Sequence, residues 1–226
     1  MDNNYTHISF VLDRSGSMDS VRGDTIGGFN SFLKEQQKEK GRCTFSMIQF
    51  DTEYETLYEF LPIKSVKKLT EKTFSPRGCT ALLDAIGKTI DSTGKELAAM
   101  EEKDRPGKVL FVILTDGIEN ASTEFTREKI FEMITHQTEN YKWNFIFLGA
   151  NQDAIEAGTS IGVKAGNSLS FSNSADGNDL LYAKMSQKVS GYRGMSSVDY
   201  SAVVESGETF TEEDRIEQEE LIKKGK

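Results

Sequence analysis

Asp13, Ser15 and Ser17 alternate along Phe10-Val11-Leu12-Asp13-Arg14-Ser15-Gly16-Ser17-Met18, where an apolar run gives way to polar side chains. Two later places offer comparable oxygens. Thr80 lies in Gly78-Cys79-Thr80-Ala81-Leu82, just ahead of a helix-like run, and Asp116 lies in Thr115-Asp116-Gly117, directly after the apolar run Val109 to Leu114. Two carboxylates and three hydroxyls, with no histidine or cysteine among them, are hard oxygen donors. That set suits Mg²⁺, with Mn²⁺ as an alternative. Hydroxyls are neutral, weak ligands, so if the carboxylates bind through water the cation is under-neutralised and keeps an open position. Taken singly, each piece is ordinary: a turn, a helix cap, a strand-ending turn. Only in combination do they read as a site.

For the combination to exist, the chain must bring three distant segments to one edge. Thr6 to Leu12 is almost continuously apolar, as in a parallel strand covered on both faces. Val21, Ile26, Phe29 and Leu33 recur at helical spacing opposite Lys34, Gln37 and Lys38. Cys43 to Phe50 and Tyr54 to Leu61 are β-rich runs joined by Asp51-Thr52-Glu53, the signature of a hairpin with a solvated acidic turn, and Pro62 ends the second. Leu82, Ile86, Ile90 and Leu97 predict a helix reaching towards Met100. Thr126 is placed to cap a helix through Ile130, Ile134 and Gln137. Trp143 to Leu148 reads as a strand closed by Gly149-Ala150-Asn151. Asp153 to Gly158 makes a short helix, Leu169-Ser170-Phe171 a last strand, and Ser174 to Val189 a final amphipathic helix. Strands alternating with helices predict a doubly wound, mostly parallel α/β sheet, which binds ligands at the carboxyl ends of its strands. Asp13 and Asp116 both fall at such ends.

Two units are expected along the chain: a domain over 1–190, and a flexible joint with a charged C-terminal helix or tail over 191–226. Gly191-Tyr192-Arg193-Gly194 and Ser196-Ser197 read as the joint. Thr211 and Asp214 form a capping pair for a short surface helix, whose Ile216, Glu220 and Ile222 give it little apolar face.

Asp13-x-Ser15-x-Ser17, Gly78-x-Thr80-x-Leu82 and Thr115-Asp116-Gly117 together resemble the metal-ion-dependent adhesion site of von Willebrand factor A domains, in the family's order. The resemblance covers roughly residues 5 to 190, and small single-domain members from bacteria and their phages are the most similar in style. It implies a Rossmann-like fold whose sheet has one antiparallel edge strand, a position the 43–61 hairpin fits. It also implies that Asp13, Ser15, Ser17, Thr80 and Asp116 hold the metal, and that a protein partner completes the site with an Asp or Glu carboxylate. Intracellular members of the family commonly act as adaptors, without enzymatic activity.

A formal charge of −9, from 27 Lys and Arg against 36 Asp and Glu, argues against nucleic acid or an anionic membrane surface as partner. Met1-Asp2-Asn3-Asn4-Tyr5 shows no basic segment followed by an apolar run, and Cys43 and Cys79 are too few for a disulfide framework. A cytoplasmic protein is the expectation. Enzyme readings find little support. Ile86-Gly87-Lys88-Thr89 imitates the end of a phosphate-binding loop, but the required glycine is Leu82. An aspartyl nucleophile at Asp13 would need an acid where Ser15 stands. His7 and His136 sit in a strand start and a helix, Cys79 has no evident base and reads as a small buried filler, and Ser15 and Ser17 lack an activator. Two alternatives remain. One is self-assembly, with Glu208, Glu212, Glu213, Glu217, Glu219 or Glu220 filling the site of another copy. The other is a metal-dependent hydrolase. Glu119 and Asn120 are candidates for the rim of the site, and Arg14 and Met18 point elsewhere.

Overall fold

Every second residue of β1 (Asp2–Asp13) faces the same way, and both faces of the strand are buried from Tyr5 onward. Ile8, Phe10 and Leu12 enter one apolar cluster and Val11 the other. A strand buried on two faces needs helices on both sides, and the computed structural model, which describes residues 1–150 and 152–224, supplies them. The helices α1 (Arg22–Lys38), α5 (Ala175–Gly194) and α6 (Ser197–Ser206) pack on the first face. On the second lie α2 (Leu82–Ala99), α3 (Arg127–Tyr141) and α4 (Ala154–Ser160).

The sheet has six strands in the order β3-β2-β1-β4-β5-β6. β2 (Arg42–Phe50) and β3 (Tyr54–Pro62) form the expected hairpin, which makes β3 the antiparallel edge strand. β4 (Pro106–Thr115), β5 (Asn144–Ala150) and β6 (Ser168–Phe171) run parallel to β1 on its other side. The chain therefore winds outward from β1 in one direction and restarts in the other at β4. Such a switch in strand order opens a crevice at the carboxyl ends of the two central strands. Those ends carry Asp13 and, one residue past β4, Asp116. The predicted Thr126 cap is present, its side chain accepting from Lys129 N–H, and the structure adds two more, Asp153 accepting from Ile155 and Glu156 N–H and Ser174 from Gly177 N–H. Of the turn expected to close β5, Gly149 and Ala150 belong to the strand itself, and Asn151 lies outside the described residues.

Most of the expected flexible joint is instead helix, with a break only at Met195 and Ser196, where Ser196 caps α6. Gly191-Tyr192-Arg193-Gly194 is the last turn of α5. Tertiary contacts outweigh the glycines there. Tyr192 Oη donates to Thr209 Oγ1 at 2.8 Å, and Arg193 donates to the carbonyl and side chain of Gln36. The buried ammonium of Lys108 donates to the carbonyls of Arg193 and Met195. Beyond it, Tyr200, Val204 and Phe210 belong to the core, and Tyr200 Oη donates to the Val109 carbonyl at 2.7 Å.

The predicted last helix exists as α7 (Glu212–Lys224), with Thr211 and Asp214 exchanging the expected capping bonds. It docks through polar groups. Asp214 pairs with Lys184 at 2.9 Å and Lys188 at 2.8 Å. Gln218 accepts from Ser172 N–H and donates to the Gly177 carbonyl. Arg215 donates to the Ser168 carbonyl on the edge strand β6 at 2.7 Å. A sheet edge that would otherwise be open is thereby partly covered. No helix among the described residues is long and apolar enough to cross a membrane.

Candidate metal centre

Leu12 lies opposite Leu114 in the β1–β4 pairing, so the chain leaves both strands at neighbouring points. Asp13 is fully buried there. Its Oδ1 accepts from Ser15 N–H at 2.6 Å, which folds the Asp13–Ser15 turn, and its Oδ2 accepts from Thr115 Oγ1 at 2.6 Å. Ser15 Oγ is 3.1 Å from Ser17 Oγ, and Ser17 Oγ donates to Asp116 Oδ1 at 2.5 Å. Ser17 is the exposed member of the group, within a 3-10 turn over Gly16–Val21.

Thr80 arrives on a separate loop that is stitched to the Asp13–Ser17 turn by backbone bonds. Arg77 N–H donates to the Arg14 carbonyl at 2.8 Å, and Gly16 N–H to the Gly78 carbonyl at 3.2 Å. Gly78 has φ +68, a left-handed conformation that side chains disfavour. Asn120 then clasps Thr80, accepting its N–H at 2.9 Å and donating its own N–H to the Thr80 carbonyl at 3.1 Å. A Cβ on Gly117 would lie 2.6 Å from Thr80 Oγ1 and 3.4 Å from Asp13 Oδ2. The threonine hydroxyl and the aspartate thus close over this glycine. The structure brings all five residues to one edge.

Thr80 does not cap α2. The N-cap is Ala81, with no side-chain bond. The first-turn N–H groups of Leu83 and Asp84 go instead to Glu119 Oε2 at 2.9 Å and Ser122 Oγ at 3.1 Å. Glu119 and Asn120, expected at the rim, serve as braces for the loops. Two further expectations change. The hairpin turn is not simply solvated, because Asp51 is buried and accepts from Arg14 Nε and Arg77 Nε, both at 2.9 Å, while Arg14 also reaches Glu55 and Arg77 reaches Glu53. Cys79, expected as buried filler, is exposed. It lies on the loop, with its N–H donating to Thr52 Oγ1. Met18 is a core residue, and Arg14 turns away to Asp51.

Burial raises the Asp13 pKa to about 6 against the opposing bonds from Thr115 and Ser15, with the nearby Asp116 charge adding to the rise. Burial also raises that of Asp116, opposed by the hydrogen bond from Ser17. Neither has a cationic partner among the described residues, and Asp116 Oδ2 is buried with no hydrogen-bond partner. Two buried carboxylates, three converging hydroxyls and an orphaned oxygen fit a hard divalent cation in both donor chemistry and charge. The soft ligands that would select zinc or copper are absent from this set.

A family profile of the von Willebrand factor type A domain matches residues 7–183, well over half of the chain. The chain belongs to that family. Solved structures agree on the fold of this von Willebrand A domain. One is the VWA2 paralog of ArnB from Sulfolobus acidocaldarius, at TM-score 0.52 and 15% identity over 83% of this chain and 45% of that one. Another is proximal thread matrix protein 1 of the mussel byssus, with a zinc-occupied adhesion motif, at TM-score 0.55 and 13% identity over 82% and 46%. A third is the von Willebrand domain of a type V pilus tip protein of Porphyromonas gingivalis, at TM-score 0.59 and 11% identity over 87% and 98%. Our chain therefore spans less than half of the first two proteins and nearly all of the third. At these identities the likeness is one of fold. No curated protein matches the chain.

Sequence reading misses Thr115, which holds Asp13. Thr115 stands next to Asp116 and could be found from the motif.

Proposed function

We propose that this domain binds Mg²⁺, or Mn²⁺, through Asp13, Ser15, Ser17, Thr80 and Asp116, as a metal-ion-dependent adhesion site that docks an Asp or Glu side chain of a protein partner. The observation that carries the reading is the pair of buried carboxylates without a cation of their own, beside an orphaned oxygen and three hydroxyls at the strand switch point. A bound Mg²⁺ would supply positive charge and a hard acceptor for an incoming oxygen. The chain's own groups hold the donor set in register. Thr115 and Ser15 N–H fix the Asp13 rotamer, Ser17 fixes Asp116, and Asn120 fixes the backbone of Thr80.

Family membership supports a docking role, and the mussel protein's metal-occupied motif supports the choice of site. We read the domain as a cytoplasmic, non-enzymatic adaptor of bacterial or phage type. His7 is enclosed by Thr44 and Ser9, and burial depresses its pKa to about 3. His136 is exposed on α3 beside Asn140. Neither histidine has contacts that would make it a base for the site.

Calorimetric titration with Mg²⁺ and Mn²⁺ tests this on wild-type protein, Asp13→Ala and Thr80→Ala. A cation that binds only the folded state raises stability by about 2.7 kcal/mol at a hundredfold excess over its dissociation constant. We expect that rise in wild type and its loss in both variants. A rise that survives both substitutions would move the metal elsewhere.

A further inference from the structure

Asp51 Oδ2 accepts from two arginines at once, Arg14 Nε and Arg77 Nε, both at 2.9 Å. Arg14 stands between Asp13 and Ser15, and Arg77 opens the loop that carries Thr80. One buried oxygen therefore joins the two segments that bring Ser15 and Thr80 to the metal edge. The rest of the hairpin turn grips the same pair. Arg14 N–H donates to the Phe50 carbonyl at 2.8 Å, and Ala81 N–H to the Asp51 carbonyl at 3.0 Å. Thr52 comes so close to the loop that a Cβ on Gly78 would lie 2.6 Å from its Oγ1. The turn itself is held by Asp51 Oδ1, which accepts from Glu53 N–H at 2.6 Å.

Asp51 is 1% exposed and Arg14 6%. Replacing ion pairs buried to that degree by apolar groups is often neutral or stabilising, because desolvation offsets their attraction. Two guanidinium groups beside a cation site also work against it by repulsion. Asp51, with Glu55 on Arg14 and Glu53 on Arg77, offsets that charge. Stability and field thus give little reason for the arrangement, whereas geometry gives one. Ser15 and Thr80 offer neutral hydroxyls from segments far apart in the chain, and weak ligands serve a cation only when they are held in place beforehand. Groups that orient the ligands of a metal commonly change its affinity by about 10–100-fold when removed.

We propose that Asp51 is a positioning residue of the metal site: its single oxygen bolts Arg14 of the Asp13–Ser17 turn to Arg77 of the Thr80 loop and so fixes the Ser15 and Thr80 hydroxyls relative to each other. This rests on the metal reading above. It assigns the β2–β3 turn, which carries none of the motif, a share in metal affinity.

The test is calorimetry with Mg²⁺ alone on the full chain, for wild type, Asp51→Asn and Arg77→Gln, with thermal unfolding of the metal-free proteins alongside. The two substitutions change charge in opposite directions. Through the field alone, Asp51→Asn weakens Mg²⁺ binding and Arg77→Gln tightens it. If position matters, both weaken it, each by about tenfold. The ratio to wild type should also persist at about 1 M KCl, where charges are screened beyond roughly 3 Å. The Arg77 side chain is 53% exposed, so Arg77→Gln keeps the question open to measurement even where Asp51→Asn folds poorly. Tighter binding by Arg77→Gln, or wild-type affinity in either variant whatever its melting temperature, overturns the role of Asp51. With Asp13→Ala still abolishing binding, either result leaves the metal site standing. Absence of Mg²⁺ binding in wild type removes both.

Discussion

Asp116 and Asp214 are both nearly buried carboxylates, and the chain treats them in opposite ways. At Asp214, burial pushes the pKa up, but the bonds from Lys188, Lys184 and Thr211 N–H outweigh it and hold the carboxyl far below its usual range. At Asp116 the opposing bond, from the Ser17 hydroxyl, is uncharged; burial wins and the pKa rises. The same contrast runs across the site's own border. Asp51 is held low by Arg77 and Arg14 although burial works against it, while Asp13 goes up. A buried carboxylate that the fold means to keep quiet is given a cation from within the chain. The two at the switch point have none among the described residues, which is the arrangement expected where the cation comes from solution.

Breaking the satisfied region should cost most. Tyr200, Val204 and Phe210 all sit in the main core, and truncating a large buried side chain typically costs about 2–5 kcal/mol. Deleting residues 197–226 removes all three, an amount comparable to the roughly 5–15 kcal/mol that stabilises a domain. The truncated chain should lose its cooperative urea transition, and an unchanged midpoint would show that the C-terminal helices are dispensable to the core.

Next comes Asp214→Ala, which strands Lys188, leaves Lys184 with Glu217 alone and removes the capping acceptor for Thr211 N–H. Both lysines keep some solvent access, so we expect a loss of about 2–3 kcal/mol in urea unfolding, below the 3–5 kcal/mol of a fully buried pair.

The mirror experiment at the metal edge should have the opposite sign. Asp13→Asn removes a buried charge without a cation, so metal-free protein at pH 8 should gain roughly 1–3 kcal/mol while losing its response to Mg²⁺. A metal-free loss of stability would mean that Asp13 is structural first.

The smallest effect concerns pH. Asp214 has a depressed folded-state pKa, so its contribution is complete above the unfolded value near 3.9 and drains away as pH falls below it. Thermal unfolding between about pH 5 and pH 2.5 should therefore show a steeper decline in wild type than in Asp214→Asn.

Much of the site was legible because its donors sit where strands end. The apolar runs before Asp13 and Asp116 announce their own termination, and an oxygen side chain at that point has few purposes beyond a turn or a ligand. Asp51 was misread as solvated because charge alone does not reveal that Arg14 and Arg77 converge on it from other loops. The stretch Gly191–Gly194, expected as part of the joint, is helical for a related reason. Glycines weaken a helix locally, but Lys108, Gln36 and Thr209, all remote in sequence, hold that turn in place.

By itself the sequence determined the alternation of strands and helices, the hairpin and the mostly parallel sheet, and it singled out five candidate oxygen donors, four just past strand ends and Thr80 just ahead of a helix. These follow from local periodicity and from residues adjacent to the ends of elements; the hairpin's place at the edge of the sheet followed from the family resemblance. Only the tertiary structure decided that α6 and α7 fold back onto the domain, and that Asp51 is matched by cations while Asp116 has none among the described residues. Those outcomes depend on which polar groups meet when burial has already been fixed by the apolar core. A pairing between residues far apart in the chain leaves no periodic trace in the sequence that makes it.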